Sequence, residues 1–166
     1  AVTGYRGIYV EANAISPDRA RRIAALLPGA QVVDGAIIGP PPSHPGSTRL
    51  YVSGDTGQVP ELFDGTALDV VRLAGGIGQA SALKMAYASY QKASRVLAAV
   101  AHALAGAHGV DDYLRHEADL LRSFPLADVD QFPEVAAKAW RWAPEMLDVA
   151  EALNAAALPT GLALGA

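Results

Sequence analysis

Only three lysines occur in the 166 residues, Lys84, Lys92 and Lys138, against ten arginines. Lys84 lies in the almost wholly apolar run SALKMAYAS. An ammonium drawn partly out of water loses proton affinity, because a low dielectric disfavours its charged form. That moves a lysine toward the range in which it works as a general acid or base. Tyr87, three residues on, shares the same helix face and offers a hydroxyl. Gly78, six residues earlier, opens the helix, and a start without a side chain lets a ligand approach backbone amides. The same spacing has a second reading. Lys84, Ala88, Gln91 and Arg95 form a polar stripe on a long helix, solvated and without chemistry. The residues alone leave both readings open.

Other reactive residue types point nowhere definite. The four histidines, His44, His102, His108 and His116, lack metal-ligand spacing, and no metal site is expected. Cysteine is absent, which removes disulfides, zinc-thiolate sites, iron–sulfur clusters and thiol nucleophiles and fits a cytoplasmic protein. Ser53 and Ser81 have no histidine beside them, so nucleophilic hydrolysis has no support. The turn GGIG, 75–78, is glycine-rich but is not the dinucleotide fingerprint. Trp140 and Trp142 cannot share one helix face, so one belongs in the core and the other against a partner or ligand. A net charge of −4 and scattered basic residues give no footprint for nucleic acid or an anionic membrane. The one dense patch, Arg19, Arg21 and Arg22, reads as a solvated helix face.

The elements that would position these residues change character near Gly75. Hydrophobic residues at 51% against 18% charged supply a sizeable core. Residues 8–14 (IYVEANA) read as a strand. Ser16-Pro17 starts a helix as N-cap and first-turn proline, and Pro28-Gly29 stops it near Leu27. Residues 31–38 (QVVDGAII) form a second strand, and strand–helix–strand of this length implies a βαβ unit and a parallel sheet. The proline loop 39–46 continues neither element. Residues 49–53 and 68–73 read as further strands, with a short helix near 59–63. Beyond Gly75 the pattern is helical: one helix over 78–108, about 45 Å at 1.5 Å per residue, then 111–123, begun by Asp111-Asp112, and 132–158 with Pro144 as a kink or break. The alanine-rich stretch 93–107 carries Arg95 and His102 and reads as a packed helix, not a membrane span. The fold class is α/β followed by all-α. Residues 1–75 form the C-terminal half of a Rossmann-like dinucleotide-binding domain, and 76–166 a helical substrate and dimerisation domain.

The ordered run YVEANAISP, VVDGAIIGPPP, RLYVSG and GGIGQASALKM, closing with RWAPEMLDVAEALNAAALP, resembles the β-hydroxyacid dehydrogenases grouped with 3-hydroxyisobutyrate and 6-phosphogluconate dehydrogenase. It looks most like the 6-phosphogluconate-dehydrogenase-like branch with a distinctive C-terminal domain, and it covers nearly the whole chain. The resemblance implies an oxidoreductase using NADP or NAD, NADP slightly favoured, on a small-molecule substrate, working as a homodimer paired through the helical domain. Asn13 and Ala14 would lie near the cofactor, and Ile38, Gly39 and Pro40 would occupy the substrate-binding turn. Gly78 would belong to the cofactor side and Lys84 would be the catalytic lysine, with Tyr87 and Glu145 on the substrate side. The sequence departs from the family at several of these positions. Tyr87 stands where Asn or His is usual, Ala88 where Asn follows, Ile38 where the turn has serine, and Pro144-Glu145 where a Lys-Asp pair occurs. These changes predict a more apolar pocket. The GxGxxG half of the family is absent from the 166 residues, so the chain reads as a fragment that is inactive alone. The alternative is a non-catalytic module, derived from the same family, whose long helices dimerise.

Overall fold

The computed structural model describes residues 4–121 and 128–166. Ser123, the expected end of the third helix, lies outside them. Strand β1, Ile8–Glu11, is shorter than expected. It ends where the Glu11 carboxylate accepts the backbone amide of Asn13 at 3.1 Å and its side-chain amide at 2.5 Å, turning the chain out of the sheet. Helix α1, Pro17–Ala25, starts as its signals require. Ser16 accepts from the Arg19 amide, and proline occupies the first turn, where its missing N–H leaves nothing unsatisfied. The chain returns as β2, Gln31–Ile38, parallel to β1 with Glu11 opposite Asp34.

β3, Thr48–Gly54, runs antiparallel to β2, and β4, Leu68–Arg72, parallel to β3, giving the order β1-β2-β3-β4. The sheet is therefore mixed, not parallel. The reason is loop length. The nine residues 39–47 can close a hairpin-like return but cannot carry a parallel crossover, which needs a dozen or more. Gly39, at φ 129°, is required there, because a Cβ would meet the Ser47 carbonyl at 2.4 Å. One face of the sheet packs Val33, Leu50 and Val52 against Val59 and Phe63 around a single turn of 3-10 helix, Pro60–Phe63.

The other face carries α2, Gln79–Ala107. Its N-terminus is fastened by a buried polar latch. The Asp34 carboxylate accepts the amides of Gly78 (2.9 Å) and Ser81 (3.0 Å) and the hydroxyls of Ser53 (3.1 Å) and Ser81 (2.5 Å), while Ser53 Oγ accepts the Ala80 amide at 3.0 Å. Asp34, Ser53 and Ser81 are fully buried. Three of the orphan amides that open a helix are thus satisfied by side chains of β2 and β3. Beyond α2 come α3, Asp111–Leu121, α4, Phe132–Lys138, α5, Trp142–Ala155, and α6, Gly161–Gly165. The expected 132–158 helix is broken at Ala139–Arg141 by a 3-10 turn, just before Pro144. The proline then sits in the first turn of α5, where it needs no donor. Met85 and Ala88 of α2 pack with Met146, Val149 and Ala150 of α5 and Ala163 of α6, with Ala14 and Trp142 at the margin. The two tryptophans divide as their spacing requires, Trp142 inward and Trp140 outward. The arginine patch is not simply solvated: Arg19 pairs with Asp148 at 3.6 Å and Arg22 with Glu151 at 3.4 Å, tying α1 to α5.

Candidate active site

Because β1 and β2 are parallel, their C-terminal ends open on the same side, the side on which open α/β sheets bind ligands. Asn13 and Ala14 follow β1, and Gly39 and Pro40 follow β2. α2 brings Lys84 to this edge. Its Nζ donates to the Ile37 carbonyl at 2.9 Å, a bond joining residues 47 apart in the chain. Asn13 is held outward by Glu11, and Ala14 leans on the α2–α5 core. The residues picked from the sequence at 13, 14, 38–40 and 84 therefore lie toward one end of the sheet.

Lys84 is half-buried, and its proton affinity is lowered from the usual lysine range. Burial is the largest cause, the nearby Glu145 carboxylate works against it, and Lys92 adds to it. Glu145 reaches this neighbourhood from the first turn of α5 and forms an ion pair with Lys92. Their side chains keep only 18% and 13% of their exposure. Lys92 Nζ also lies 5.9 Å from the centre of the Trp142 ring, close enough for a cation–π contact. Tyr87 accepts a hydrogen bond from Gln91 Nε2 at 2.6 Å, which leaves its own proton free to donate.

Three expectations change in this geometry. The amides at Gly78, Ala80 and Ser81 do not face an open ligand space, because Asp34 and Ser53 already occupy them. Gly78 is needed for its backbone at φ 107°, and because a Cβ would lie 2.9 Å from the Arg21 guanidinium. Ile38, expected to make the turn apolar, is 6% exposed and packed on the α2 side of the sheet, whereas Ile37 is 42% exposed. The polar stripe also fails as drawn, since Ala88 is a core residue and Lys84 bonds to the sheet.

Lys92 was missed in the sequence. Its scarcity as a lysine was visible, but its partner is 53 residues away on another helix. The glycine-rich helix start at 75–78 is closed by Asp34.

This pairing of a four-stranded sheet with a long helix and a helical domain is a fold shared with solved structures of dehydrogenases and reductases. A conserved protein of unknown function, described as structurally similar to 3-hydroxyacid dehydrogenases, is 26% identical at a TM-score of 0.75, over 96% of this chain and 64% of its own. The 3-hydroxyisobutyrate dehydrogenase of Salmonella typhimurium is 20% identical at 0.69, over 95% and 61%. A reductive aminase from Aspergillus terreus, in complex with NADPH and ethyl levulinate, is 18% identical at 0.56, over 95% and 61%. The chain thus spans roughly three-fifths of the length of these structures. Residues 105–166 match the family described as Domain of unknown function (DUF1932), and no curated protein matches the chain. The resemblance to the β-hydroxyacid dehydrogenase group holds in fold and in the order of elements.

Proposed function

We propose that this chain is the lysine-bearing part of an NAD(P)-dependent oxidoreductase acting at a C–OH/C=O or C=N centre, with Lys84 as its general acid and base. The observation that carries the reading is the place of Lys84. A lysine of lowered proton affinity is bonded to the C-terminal end of β2, which continues into Gly39 and Pro40 beside the end of parallel β1, which continues toward Asn13 and Ala14. The bound nicotinamide would supply or accept the hydride. In the reducing direction the Lys84 ammonium gives its proton to the substrate oxygen or nitrogen as the C–H bond forms, leaving a neutral amine. In the oxidising direction that amine takes the proton back. The ammonium also steadies the negative charge developing on the substrate heteroatom. Tyr87 offers a hydroxyl donor and Glu145 a carboxylate for orienting substrate. Asn13 and Ala14 would contact the nicotinamide end, and the rest of the cofactor requires residues outside this sequence.

The test is made in a protein carrying the dinucleotide-binding half. There Lys84→Ala is expected to lower turnover by roughly 10²–10⁴-fold, the loss associated with a positioned acid or base. Unchanged turnover would return Lys84 to a structural role. NADPH titrated into the 166-residue chain alone should show no micromolar binding.

A second reading rests on the outer face of α2. Ala86, Tyr90, Ala93, Leu97, Val100 and Leu104 recur in steps of four and three residues, the spacing of a coiled-coil seam, and four of them are large, exposed apolar side chains. A second copy of this chain would cover that stripe, making a homodimer. The same pairing serves an enzyme or a non-catalytic dimerisation module, and the Lys84→Ala assay separates the two. Among the described residues no helix is long and apolar enough to cross a membrane, which is compatible with a cytoplasmic enzyme.

A further inference from the structure

Two of the three lysines are held by carboxylates, and one is not. Lys138 pairs with Glu134, one turn away on α4, and Lys92 pairs with Glu145 of α5 against the face of Trp142. A carboxylate in contact keeps an amine charged, and a charged amine has no lone pair with which to attack carbon. Among the described residues Lys84 forms no ion pair. Its Nζ donates to the main-chain carbonyl of Ile37 at 2.9 Å, a bond at the protein surface between α2 and the end of β2. An ammonium and a free amine both carry N–H donors, so either form of the lysine can make that bond. The carbonyl therefore holds the nitrogen in place without requiring its charge.

We propose that Lys84 is a carbonyl-capture site, at which Nζ forms a reversible imine with small aldehydes and ketones in preference to Lys92 and Lys138. The nitrogen attacks the carbonyl carbon, an N–C bond forms, and one amine proton passes to the oxygen to give a carbinolamine. The second amine proton follows as the C–O bond breaks, so water leaves and a C=N bond remains. The step needs neither oxidant nor reductant, and water reverses it. The side chain is half-buried, and burial is the largest influence on its proton affinity, raising the share of free amine that begins the reaction. Glu145 opposes that shift and Lys92 reinforces it, both through space, since neither is a hydrogen-bond partner of Lys84. The nitrogen stays within reach of solutes, because the bond to Ile37 lies at the surface and Ile37 is itself 42% exposed. Capture of this kind goes beyond proton transfer and does not depend on it.

The experiment compares the three lysines within one folded protein. Propanal and sodium cyanoborohydride are added at near-neutral pH, the borohydride reduces each imine by hydride addition to a stable propylamine, and the modified peptides are followed by mass spectrometry. Lys84 should be propylated several-fold faster than Lys138 and faster again than Lys92. The contrast with Lys138 decides the matter, because that side chain keeps 53% of its exposure and is not shielded from the reagent. In urea, with the fold lost, the three lysines should react alike. Lys84→Arg should remove the adduct from its peptide and leave the other two rates unchanged, which assigns it; the comparison within the parent protein stands even if that variant does not fold. Equal rates at Lys84 and Lys138 in the folded protein would overturn the proposal. So would a preference for Lys84 that survives unfolding, since it would come from the local sequence and not from the bond to Ile37. The Lys84→Ala turnover assay answers separately whether Lys84 moves a proton, and either result can stand without the other.

Discussion

The two halves of α2 live in different surroundings. In its first half several faces are used, with amides closed by Asp34 and Ser53, Met85 and Ala88 in the core with α5, and Lys84 bonded to β2, although Tyr90 stays exposed. In its second half one side packs, with Ala98, His102 and Ala105 buried and His102 bonded to Asp111 at 2.5 Å. The other side presents Leu97, Val100 and Leu104 to solvent. The lysine at the end of β2 therefore depends on contacts within this chain, whereas the far half of the helix carries a face that the described residues leave uncovered. The proposed chemistry lies on the better-packed half, and the proposed association on the half with the larger exposed apolar face.

The strongest way to break this contrast is to remove the latch. Asp34→Ala strips the acceptor from two buried amides and two buried hydroxyls at once, and unsatisfied buried donors cost about 1–3 kcal/mol each. The hydroxyls can turn to other partners, so a loss of about 3–5 kcal/mol is expected, a large part of a typical domain's stability. Urea unfolding should show a lower midpoint with the slope preserved. Asp34→Asn, which keeps one acceptor oxygen, should fall between. If Asp34→Ala unfolds like the parent chain, the first half of α2 is held by its apolar contacts alone, and the latch has no role in placing Lys84.

The second half predicts the opposite pattern. Replacing Leu97 and Leu104 with glutamate should leave the unfolding of the isolated chain within about 0.5 kcal/mol, since both side chains are exposed. Self-association should weaken by about 2 kcal/mol or more if the stripe is an interface, because buried anchors of this kind dominate such contacts. Sedimentation over a range of concentrations measures it. A parent chain that remains monomeric at high concentration would remove the homodimer from consideration.

The same division explains what was legible in the sequence. α1 and β2 could be read because local signals set their ends, with Ser16-Pro17 opening the helix and Pro28-Gly29 closing it, whereas β1 stops at Glu11, short of the expected Ala14. Lys84 stood out because lysine is scarce and its neighbours are apolar, and the family-like run around it supplied a direction. The antiparallel return into β3 was misread, although a nine-residue loop was available as the signal. The latch was illegible for a different reason. Asp34, Ser53 and Ser81 are far apart in sequence, and a serine without a neighbouring histidine gives no hint that it caps a distant helix. Lys92 and Glu145 share that difficulty, since an ion pair between two helices follows from how the helices pack and not from spacing along either one. Ile38 was assigned to the turn by resemblance, and only the β2–β3 register shows it turned toward α2 and buried.

The smallest expected effect tests whether the lysine strains the well-packed half. Lys84 is held below the usual lysine range, burial being the largest cause. At a pH below both its folded and unfolded values the lysine is charged in both states, and its burial is a constant penalty. Between the folded value and the ordinary one near 10.5, the unfolded chain holds more of the proton than the folded chain. Stability should therefore rise with pH in that window. Compared with Lys84→Met, which cannot titrate, the parent chain should gain ground as the pH climbs from neutral toward the lysine range. The slope should stay well under the ~1.4 kcal/mol per pH unit that one whole proton would give. Taking the difference between the two proteins at each pH cancels every other group that titrates there. A flat difference would mean that Lys84 is as well hydrated in the fold as in the open chain, and the proposed proton-transfer role would lose the lowered proton affinity on which it rests.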